Sequence, residues 1–451
     1  MLTLREPTTA DVVLGEVLDD LTRRGLQHAL VRPPSRDGRG QLEADLLVEP
    51  RARAAVEALL ARHGFARRPA WGRRPHRFHL RPVIGVAGAG SAGDVEVAGP
   101  AGSIDWLKID LVTDLCFGRW HEIPAQAAAA CLAQRRPTPD RLTPADELIG
   151  QLLHSLLDGK GLGAKGRERL AHLAPLAGAP TELATWAAPE GGGWPEWSDI
   201  VRAISSEEWA ALEAMGPPIS QRIVSDRRSE VAFRSATNRA GQRLVKVLTA
   251  VAGRGWLVAL VGPDGTGKST LAGSMAASLA VPSRTLYGGT YRSGTTESRV
   301  PGMATAAVAG RLLSTRAQVA WHRSRGRLVV LDRHPVEARP GPDEDLSPKA
   351  RLRRRALSVL LPMPDLLIAL DAPAALLHER RPEHDVAHLE ADRQRHLDLA
   401  AHTTGSEVVD AAAPADVVRD RTVGLVWERV VARRPVRRLG TDHLTTTGSA
   451  A

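Results

Sequence analysis

One stretch of eight residues constrains this chain more than any other: Gly-Pro-Asp-Gly-Thr-Gly-Lys-Ser, from Gly262 to Ser269. It matches the pattern G-x-x-x-x-G-K-[ST] at every fixed position. The residues before it, 256–261, form an apolar run suited to a buried parallel strand, and those after it, 269–280, predict a helix. With strand, loop and helix in register, the segment predicts a phosphate-binding loop whose backbone N–H groups and helix N-terminus face the phosphates.

This loop predicts that the chain binds a nucleoside triphosphate together with Mg²⁺. In such loops the lysine, here Lys268, neutralises the β and γ phosphates, and the hydroxyl of the next residue, Ser269, holds the metal ion. Neighbouring loop residues are expected to complete the site. The predicted nucleotide-binding residues are Gly262, Asp264, Gly265, Thr266, Gly267, Lys268, Ser269 and Thr270.

Length and charge limit what else the chain can be. Its 451 residues leave room for two or three domains. The 60 basic residues outnumber the 51 acidic ones, but nearly all are arginine, whose forked guanidinium also suits phosphate ligands. The most basic run, from Lys349 to Arg355, contains no aromatic residue and is typical of a solvated helix face. This argues against a nucleic-acid partner.

Cysteine usage and hydropathy favour the cytoplasm. The two cysteines, Cys116 and Cys131, have neither metal-binding spacing nor enough partners for a disulfide framework. The N-terminus lacks the apolar core of a signal sequence. The most apolar long segment, 357–377, is interrupted by prolines and aspartates, so no membrane span is predicted.

Three acidic residues of the N-terminal part fall on strand-like segments. Because side chains alternate along a strand, Glu43 and Asp45 share the polar face of the segment 43–48. Asp110 faces away from the apolar side of a second segment, 103–115. Converging carboxylates suit hard divalent cations, so these three residues are candidate metal ligands. The alternative is that they are exposed acids on ordinary strands.

This arrangement resembles the nucleotidyltransferase superfamily, in which an acidic-x-Asp pair and an Asp on a neighbouring strand bind the catalytic metals. The predicted helix after Asp45, the segment 76–79 and the predicted helix 146–154 resemble an uncharacterised bacterial branch of that superfamily. The superfamily's Gly-Ser loop before the first acidic pair is not visible here. The resemblance implies an N-terminal α+β domain of nucleotidyltransferase type.

Two histidines and two phenylalanines of the first half are given structural roles. His76 and His79 lie three residues apart on a predicted strand, so their side chains point to opposite faces and are interpreted as structural. Phe78, between them, is predicted to face the core. Phe233 is predicted to lie on the apolar face of the helix 227–251.

Changes of periodicity along the chain predict five segments. Helical periodicity dominates after residue 142, and Gly253 and Gly255 end the long helix before the phosphate-loop strand. The predicted segments are a nucleotidyltransferase-like domain at 1–141, a helical subdomain at 142–226, a connecting helix at 227–255, a P-loop kinase domain at 256–434, and a disordered tail at 435–451.

Strands and helices alternate after the phosphate-binding loop. The predicted strands, each followed by a helix, are 284–287, 327–331, 366–370 and 407–409. This alternation predicts an α/β fold with a parallel sheet wound on both faces. Ligands of such a sheet lie beyond the carboxyl ends of its strands.

Several of those strand ends resemble the motifs of thymidylate kinases. An acid in the loop, Asp264, is followed by Thr315-Arg316-Ala-Gln318, Asp332-Arg333-His334, the strand 364–371 and Glu379-Arg380-Arg381. The resemblance spans residues 257–431 in the family's motif order. It implies a P-loop kinase with ATP as the triphosphate. Family members are commonly dimers, so it also implies a homodimer, although no segment locates an interface.

The resemblance implies a role for each matched residue. Asp264 would accept a hydrogen bond from the phosphoryl acceptor, Arg316 would approach its base, and Arg333 would clamp its phosphate. Arg380 and Arg381 would close over the transferring phosphoryl group. The implied catalytic residues are Lys268, Asp332, Arg333, Arg380 and Arg381, the acceptor-binding residues are Asp264, Arg316 and Arg333, and the magnesium-binding residues are Ser269 and Asp332.

The acceptor side departs from the family at two places. At the first place the chain has the family's two glycines, Gly288 and Gly289, but not the Arg-Glu-Pro that precedes them in the family. At the second place the segment 335–341 stands where the family has a Tyr-Gln-Gly segment. The expected function is transfer of the ATP γ-phosphate, with Mg²⁺, to a nucleoside monophosphate or a related phosphorylated small molecule. Two alternatives stay open: a metal-dependent nucleotidyltransferase acting through Glu43, Asp45 and Asp110 with the P-loop domain in support, and a non-catalytic ATP-binding regulator.

Overall fold

The computed structural model of the chain describes residues 8–36, 41–67, 76–83, 104–137, 140–158, 161–188, 195–225, 227–251, 255–290, 303–340 and 346–432. The described residues up to 83 and from 105 to 245 form one compact unit, and those from 246 onward form a second. The predicted tail, 435–451, lies outside the described residues. Within the described ranges, every helix is too short or too polar to span a bilayer.

The first unit begins with alternating helices and strands and continues as a run of helices. Its strands are β1 His28–Leu30, β2 Ser35–Arg36, β3 Leu42–Val48, β4 Ala66–Arg67, β5 Arg77–Val83, β6 Asp105–Val112, β7 Cys116–Phe117, β8 Ile123–Pro124, β9 Arg136–Pro137 and β10 Asp140–Arg141. Its helices are α1 Thr9–Arg23, α2 Arg53–Arg62, α3 Ala128–Gln134, α4 Pro144–Leu157, α5 Ala164–Leu173, α6 Glu182–Ala187, α7 Trp197–Ser205 and α8 Trp209–Ser225; α9, Arg228–Val251, starts in this unit.

A mixed sheet organises the first unit. Its strand order is β4-β5-β6-β3-β1-β10-β9, with β2 paired to β3. The two central strands, β3 and β6, run parallel, with Asp45 opposite Asp110 and Glu43 opposite Lys108. Alternate residues of both strands face the core under α1 and α2, where Leu107 and Ile109 are fully buried. The polar residues between them therefore share the other face of the sheet.

The helical part of the first unit packs around α4. Thr143 caps this helix by accepting a hydrogen bond from the Asp146 amide, and Pro144 occupies the first turn, where its missing N–H costs nothing. Leu148, Ile149, Leu152 and Leu153 are fully buried and form the centre of a core shared with the following helices. The predicted helical character after residue 142 is thus present.

Two aromatic predictions for this unit are wrong. Phe233 is 70% exposed on α9, because the buried stripe of that helix runs through Val231 instead. Phe78 is half-buried and lines a cavity, with the Lys108 ammonium 4.8 Å from its ring centre. His79 behaves as predicted, since burial lowers its pKa to about 4 and keeps the ring neutral.

The second unit is an α/β fold. Its strands are β11 Trp256–Val261, β12 Ser283–Tyr287, β13 Leu328–Asp332, β14 Leu366–Asp371 and β15 Ser406–Asp410. Its helices are α10 Lys268–Ser278, α11 Met303–Ser324, α12 Pro348–Ser358, α13 Ala374–Arg380, α14 Val386–Ala401 and α15 Ala415–Val426, with a short 3₁₀ turn at Pro335–Ala338 and a π turn at Trp427–Val431.

The sheet of the second unit confirms the predicted parallel sheet. Its order is β12-β13-β11-β14-β15, and every neighbouring pair is parallel. The central strand β11 is buried along its whole length, as expected of a strand with both faces covered. The carboxyl ends of β11, β13 and β14 therefore meet at one edge, and the loops that follow them line the same region.

Candidate active site

The loop after β11 has a backbone that only glycine accommodates at its first position. Gly262 has a φ of +143°, and a Cβ there would lie 2.6 Å from the carbonyl oxygen of Leu370. Gly265 and Gly267 also have positive φ, and Gly267 leads directly into α10. The amides of the loop and of the first turn of α10 are thus held around one concave space, the arrangement that binds phosphate oxygens.

This geometry predicts that a single methyl group added at Gly262 weakens ATP binding. Gly262→Ala places its Cβ against the Leu370 carbonyl, so the loop must shift and its amides lose their common orientation. We expect ATP affinity to fall at least about tenfold, since each amide–phosphate hydrogen bond is charge-assisted. Isothermal titration measures the loss.

The matched control for that variant is Gly273→Ala. Gly273 lies inside α10, and a Cβ there meets nothing within 4 Å. Alanine favours a helix over glycine, so this variant is expected to bind ATP as tightly as the wild-type protein. Equal affinity of Gly262→Ala and wild-type protein would contradict the proposed cradle.

Lys268 is buried inside the loop. Its side chain is 5% exposed, and its Nζ donates hydrogen bonds to the carbonyl oxygens of Gly262, at 2.7 Å, and Pro263, at 2.6 Å. Burial, together with the charge of Arg333, lowers the pKa of Lys268. Its Nζ also lies 3.7 Å from Oδ1 of the half-exposed Asp264. This distant carboxylate compensates the buried ammonium only in part, so an anionic ligand in the loop would stabilise it.

Asp332 ends β13 beside the loop. It lies opposite Leu260 of β11, two residues before Gly262. Its Oδ1 is buried and has no hydrogen-bond partner among the residues that the structure describes. Ser269 and Thr270, in the first turn of α10, expose their hydroxyl-bearing side chains. A carboxylate oxygen and a hydroxyl are ligands that suit Mg²⁺, so the chemistry of Asp332 and Ser269 fits the predicted metal site.

Arg333 has an unusual backbone and two acidic partners. Its φ is +70°, rare for a residue with a side chain, and its amide donates to the Leu260 carbonyl at 3.0 Å. Its Nη2 pairs with Asp264 Oδ1, and its Nη1 lies 3.9 Å from Glu337 Oε2. Burial alone raises the pKa of Asp264, but the charges of Arg333 and Lys268 outweigh it and lower that pKa.

Glu337 is a site residue that sequence reasoning missed. It lies on the 3₁₀ turn Pro335–Ala338, and its side chain is 12% exposed. Its Oε1 lies 3.5 Å from Nε2 of His396 on α14. The other nitrogen of His396, Nδ1, lies 2.8 Å from the Asp392 carbonyl oxygen. No sequence signal identified Glu337, because the turn that brings it back to Arg333 has no helical or strand periodicity.

Arg380 and Arg381 also lie at the loop. Arg380 Nη1 donates to the carbonyl oxygens of Ala411, at 3.3 Å, and Gly265, at 3.5 Å. Arg381 pairs with Glu383 at 3.1 Å and is 58% exposed, and a Cβ on Gly265 would lie 3.3 Å from its Cγ. The two guanidinium groups predicted to close over the phosphates are thus next to the phosphate-binding loop.

A second arginine–carboxylate pair sits at the end of β14. Arg393 of α14 binds both oxygens of Asp371, at 2.6 and 3.0 Å, and a third bond joins it to Glu390 at 2.8 Å. These contacts raise the pKa of Arg393. The sequence analysis did not predict the helix α14 and therefore did not identify the Arg393–Asp371 pair. It fastens α14 to the same edge of the sheet as the loop.

Comparison with known proteins shows the family to which the chain belongs. Thymidylate kinase of Xylella fastidiosa strain M12 aligns with the chain over 193 residues at 31% identity, covering 39% of this chain and 88% of that enzyme. The thymidylate kinase of strain M23 aligns with the same values. The chain belongs to the thymidylate kinase family.

Solved structures give weaker similarities. Thymidylate kinase from Candida albicans matches with a TM-score of 0.30 and 17% identity, covering 38% of this chain and 91% of its own. Deoxyadenosine kinase from M. mycoides matches with a TM-score of 0.28 and 14% identity, covering 37% of this chain and 96% of its own. No family model matches the chain.

One residue matched to the thymidylate kinase motifs lies elsewhere. Arg316 of α11 donates to the Leu360 carbonyl at 3.1 Å and lines a cavity with Arg339 and Met363. One turn earlier on α11, Arg311 donates to the carbonyl oxygens of Gly289, at 3.1 Å, and Thr290, at 3.0 Å. Sequence reasoning missed Arg311, which binds the second of the two glycines kept from the family, Gly289.

The three acids of the first unit line a separate cavity of about 320 Å³. As the structure stands, each is bound to a basic residue: Glu43 to Lys108 at 2.7 Å, Asp45 to Arg32 at 2.6 Å, and Asp110 to His76 at 2.8 Å. Among the described residues, no three His, Cys, Asp or Glu side chains are grouped so that they could hold a metal ion. The acids share one cavity without forming a metal-ligand group.

Two features of this cavity were not predicted from the sequence. His76, interpreted as structural, faces the cavity and bonds to Asp110, and its ring centre lies 4.4 Å from that of His121. Burial, joined by the charge of Asp110 and opposed by Arg32, raises the pKa of Asp45. The sheet face is therefore a buried polar surface rather than a row of exposed acids.

Proposed function

We propose that the second unit is an ATP- and Mg²⁺-dependent kinase that moves the γ-phosphate of ATP to a nucleoside monophosphate or a related phosphorylated small molecule. The observation that carries this proposal is the buried ammonium of Lys268 inside the loop, beside Asp332 and Arg333. Membership in a family of nucleotide kinases supports it.

The residues of the loop supply binding and charge neutralisation. Phosphoryl transfer is mostly positioning plus electrostatic stabilisation, so the protein needs donors around the phosphates rather than a covalent catalyst. When ATP binds, the Lys268 ammonium would give up its hydrogen bonds to the carbonyl oxygens of Gly262 and Pro263 and bind phosphate oxygens instead. Ser269 and Asp332 would hold Mg²⁺, which would supply positive charge to offset that of the phosphates.

The acceptor side is built around Arg333. Its guanidinium would exchange one of its two carboxylate partners for the phosphate of the acceptor, since a fork of N–H donors matches phosphate as well as carboxylate. Asp264, half-exposed, would then accept a hydrogen bond from the acceptor. Arg380 and Arg381 would add positive charge over the transferring group once water is excluded.

Removal of magnesium is expected to stop the reaction. With excess EDTA, ADP formation in the presence of ATP and a nucleoside monophosphate should fall to the rate of a protein-free control. Added MgCl₂ should restore it, because the metal neutralises charge that Lys268 and the arginines cannot cover alone. Undiminished ADP formation in EDTA would contradict the assignment of Ser269 and Asp332.

Nucleotidyl transfer by the first unit is a second candidate. It is favoured by the placement of Asp45 opposite Asp110 on adjacent parallel strands that line a cavity, with Glu43 on the same wall. With α-labelled nucleotide, transfer of label to an acceptor is expected to be lost in the double variant Asp45→Asn, Asp110→Asn. Label transfer at the wild-type rate in that variant would refute this candidate.

A further inference from the structure

The cavity of the first unit lies between two polar walls. One wall is the sheet face with Asp45 and Asp110, and the other is a face of α4 with Asp146, Gln151 and His154. Its volume, about 320 Å³, is that of a small-molecule site. Polar residues on a helix face that is turned to a sheet leave space for an occupant where most proteins would bury apolar side chains.

The lining carries an excess of negative charge. Six carboxylates, Glu43, Asp45, Asp110, Asp114, Asp146 and Glu147, face the permanent cations Arg32 and Lys108. Lys108 is already bound to Glu43 and Arg32 to Asp45, while Glu147 is bound from outside by Arg169 at 2.8 Å. Among the described residues, Asp110, Asp114 and Asp146 have no ion pair with arginine or lysine.

Two of these carboxylates have a free oxygen. Asp110 is 8% exposed, and its Oδ2 is bound to His76 while its Oδ1 has no hydrogen-bond partner in the described part of the chain. Asp146 is 1% exposed, and its Oδ2 accepts from the Thr143 hydroxyl at 2.8 Å. The thiol of Cys131, a weak donor, also lies against this carboxylate, whose Oδ1 meets no N–H or O–H donor in the described part of the chain. Buried carboxylate oxygens are costly unless a donor or a cation meets them.

The cavity wall already shows how it holds an ammonium group. The Nζ of Lys108 lies 2.7 Å from Glu43 Oε1 and 4.8 Å from the centre of the Phe78 ring, so one ammonium is bound by a carboxylate and an aromatic face together. The free oxygens of Asp110 and Asp146 offer acceptors of the same kind. A bare metal ion fits less well, because it needs several oxygens at one point and the described residues contain no such group.

We propose that this cavity binds a small organic molecule carrying a protonated amine, which the carboxylates of Asp110 and Asp146 recognise. The amine supplies up to three N–H donors and a positive charge to a lining in which six carboxylates face the two permanent cations Arg32 and Lys108. The hydroxyl or apolar remainder of the molecule lies along Phe78 and Gln151. This site is distinct from the ATP site of the second unit and does not depend on the kinase proposal. It shares its cavity and Asp110 with the nucleotidyl-transfer candidate, but amine binding is measured without nucleotide and is therefore tested separately.

The test uses the full chain and two matched pairs of probes. Isothermal titration compares putrescine with 1,4-butanediol, and glucosamine with glucose, so that only the amine differs within each pair. We expect at least one amine to bind with a Kd below about 1 mM and its hydroxyl partner to bind at least about tenfold more weakly. Equal binding within both pairs, or no binding of either amine, would overturn the proposal.

Isosteric variants locate the binding. Asp110→Asn and Asp146→Asn keep the shape of the side chain and remove its charge, and each is expected to weaken amine binding about tenfold. Asp19→Asn, on the exposed face of α1, is the control and should bind as the wild-type chain does. Loss of affinity in the control equal to that in the cavity variants would overturn the proposal, as would binding of MgCl₂ alone that the cavity variants abolish.

Discussion

Replacement of Lys268 by alanine is expected to reduce ATP turnover at least about a hundredfold, the loss seen when one preorganised donor to a transition-state charge is removed. Lys268 is the buried cation of the loop, and its ammonium lies where the β and γ phosphates of ATP would bind. Its removal leaves the transferring group without that charge. Steady-state ADP release with a nucleoside monophosphate acceptor measures the effect.

Lys349→Ala is the matched control for that variant. Lys349 is exposed on α12 and far from the loop in sequence, so its removal deletes the same charge without touching the site. Its turnover is expected to stay within about twofold of the wild-type value, as for surface substitutions generally. Wild-type turnover in Lys268→Ala would remove the basis for the kinase proposal.

Replacement of Arg333 by methionine should have the second largest effect on activity. We expect it to weaken use of the acceptor rather than binding of ATP. Methionine keeps much of the apolar stem and removes the guanidinium that would bind the acceptor phosphate. We expect kcat/KM for the nucleoside monophosphate to drop about a hundredfold, because a bidentate arginine–phosphate contact is among the stronger polar interactions. The Kd of ATP, measured without acceptor, should change by less than about fivefold.

The control for Arg333→Met is Arg395→Met. Arg395 lies on α14, is 54% exposed and, within the described ranges, pairs with Asp392 three positions earlier. Its loss is expected to leave kcat/KM within about twofold of wild type, in keeping with the small contribution of exposed ion pairs. A variant Arg333→Met that loses ATP affinity while keeping its acceptor KM would place Arg333 on the donor side instead.

The donor half of the site was predictable because its constraints are local. Gly262, Gly267 and Lys268 lie in eight consecutive residues whose backbone conformation and ligand contacts depend on each other. The parallel strands β11, β13 and β14 were predictable for a related reason. Each is a short apolar run buried on both faces, and each ends in a polar residue or glycine at the same edge of the sheet.

The remaining site residues depend on contacts between distant segments. Glu337 reaches Arg333 because a 3₁₀ turn folds it back, and His396 reaches Glu337 from a helix sixty residues further along the chain. That helix, α14, is rich in charge and its apolar stripe is thin, so periodicity did not reveal it. Arg316 matched a family motif by sequence, but its side chain turns to the Leu360 carbonyl.

In the first unit, too, local patterns were predictable from the sequence and long-range contacts were not. Strand alternation correctly placed Glu43, Asp45 and Asp110 on the polar side of their strands, and the register of β3 against β6 brought Asp45 opposite Asp110. Glu43 pairs with Lys108 of β6, but the basic partners of Asp45 and Asp110 come from outside these two strands, namely Arg32 after β1 and His76 before β5. Their neutralising contacts are long-range and could not be read from the spacing of the acids.

The most direct test of the kinase proposal follows the γ-phosphate itself. Full-length protein, MgCl₂ and γ-labelled ATP are incubated with each nucleoside monophosphate in turn, and the products are separated by charge. The proposal predicts labelled nucleoside diphosphate from at least one acceptor, absent with Lys268→Ala. Bound ATP without any labelled acceptor product across the series would contradict it and favour a non-catalytic ATP-binding regulator.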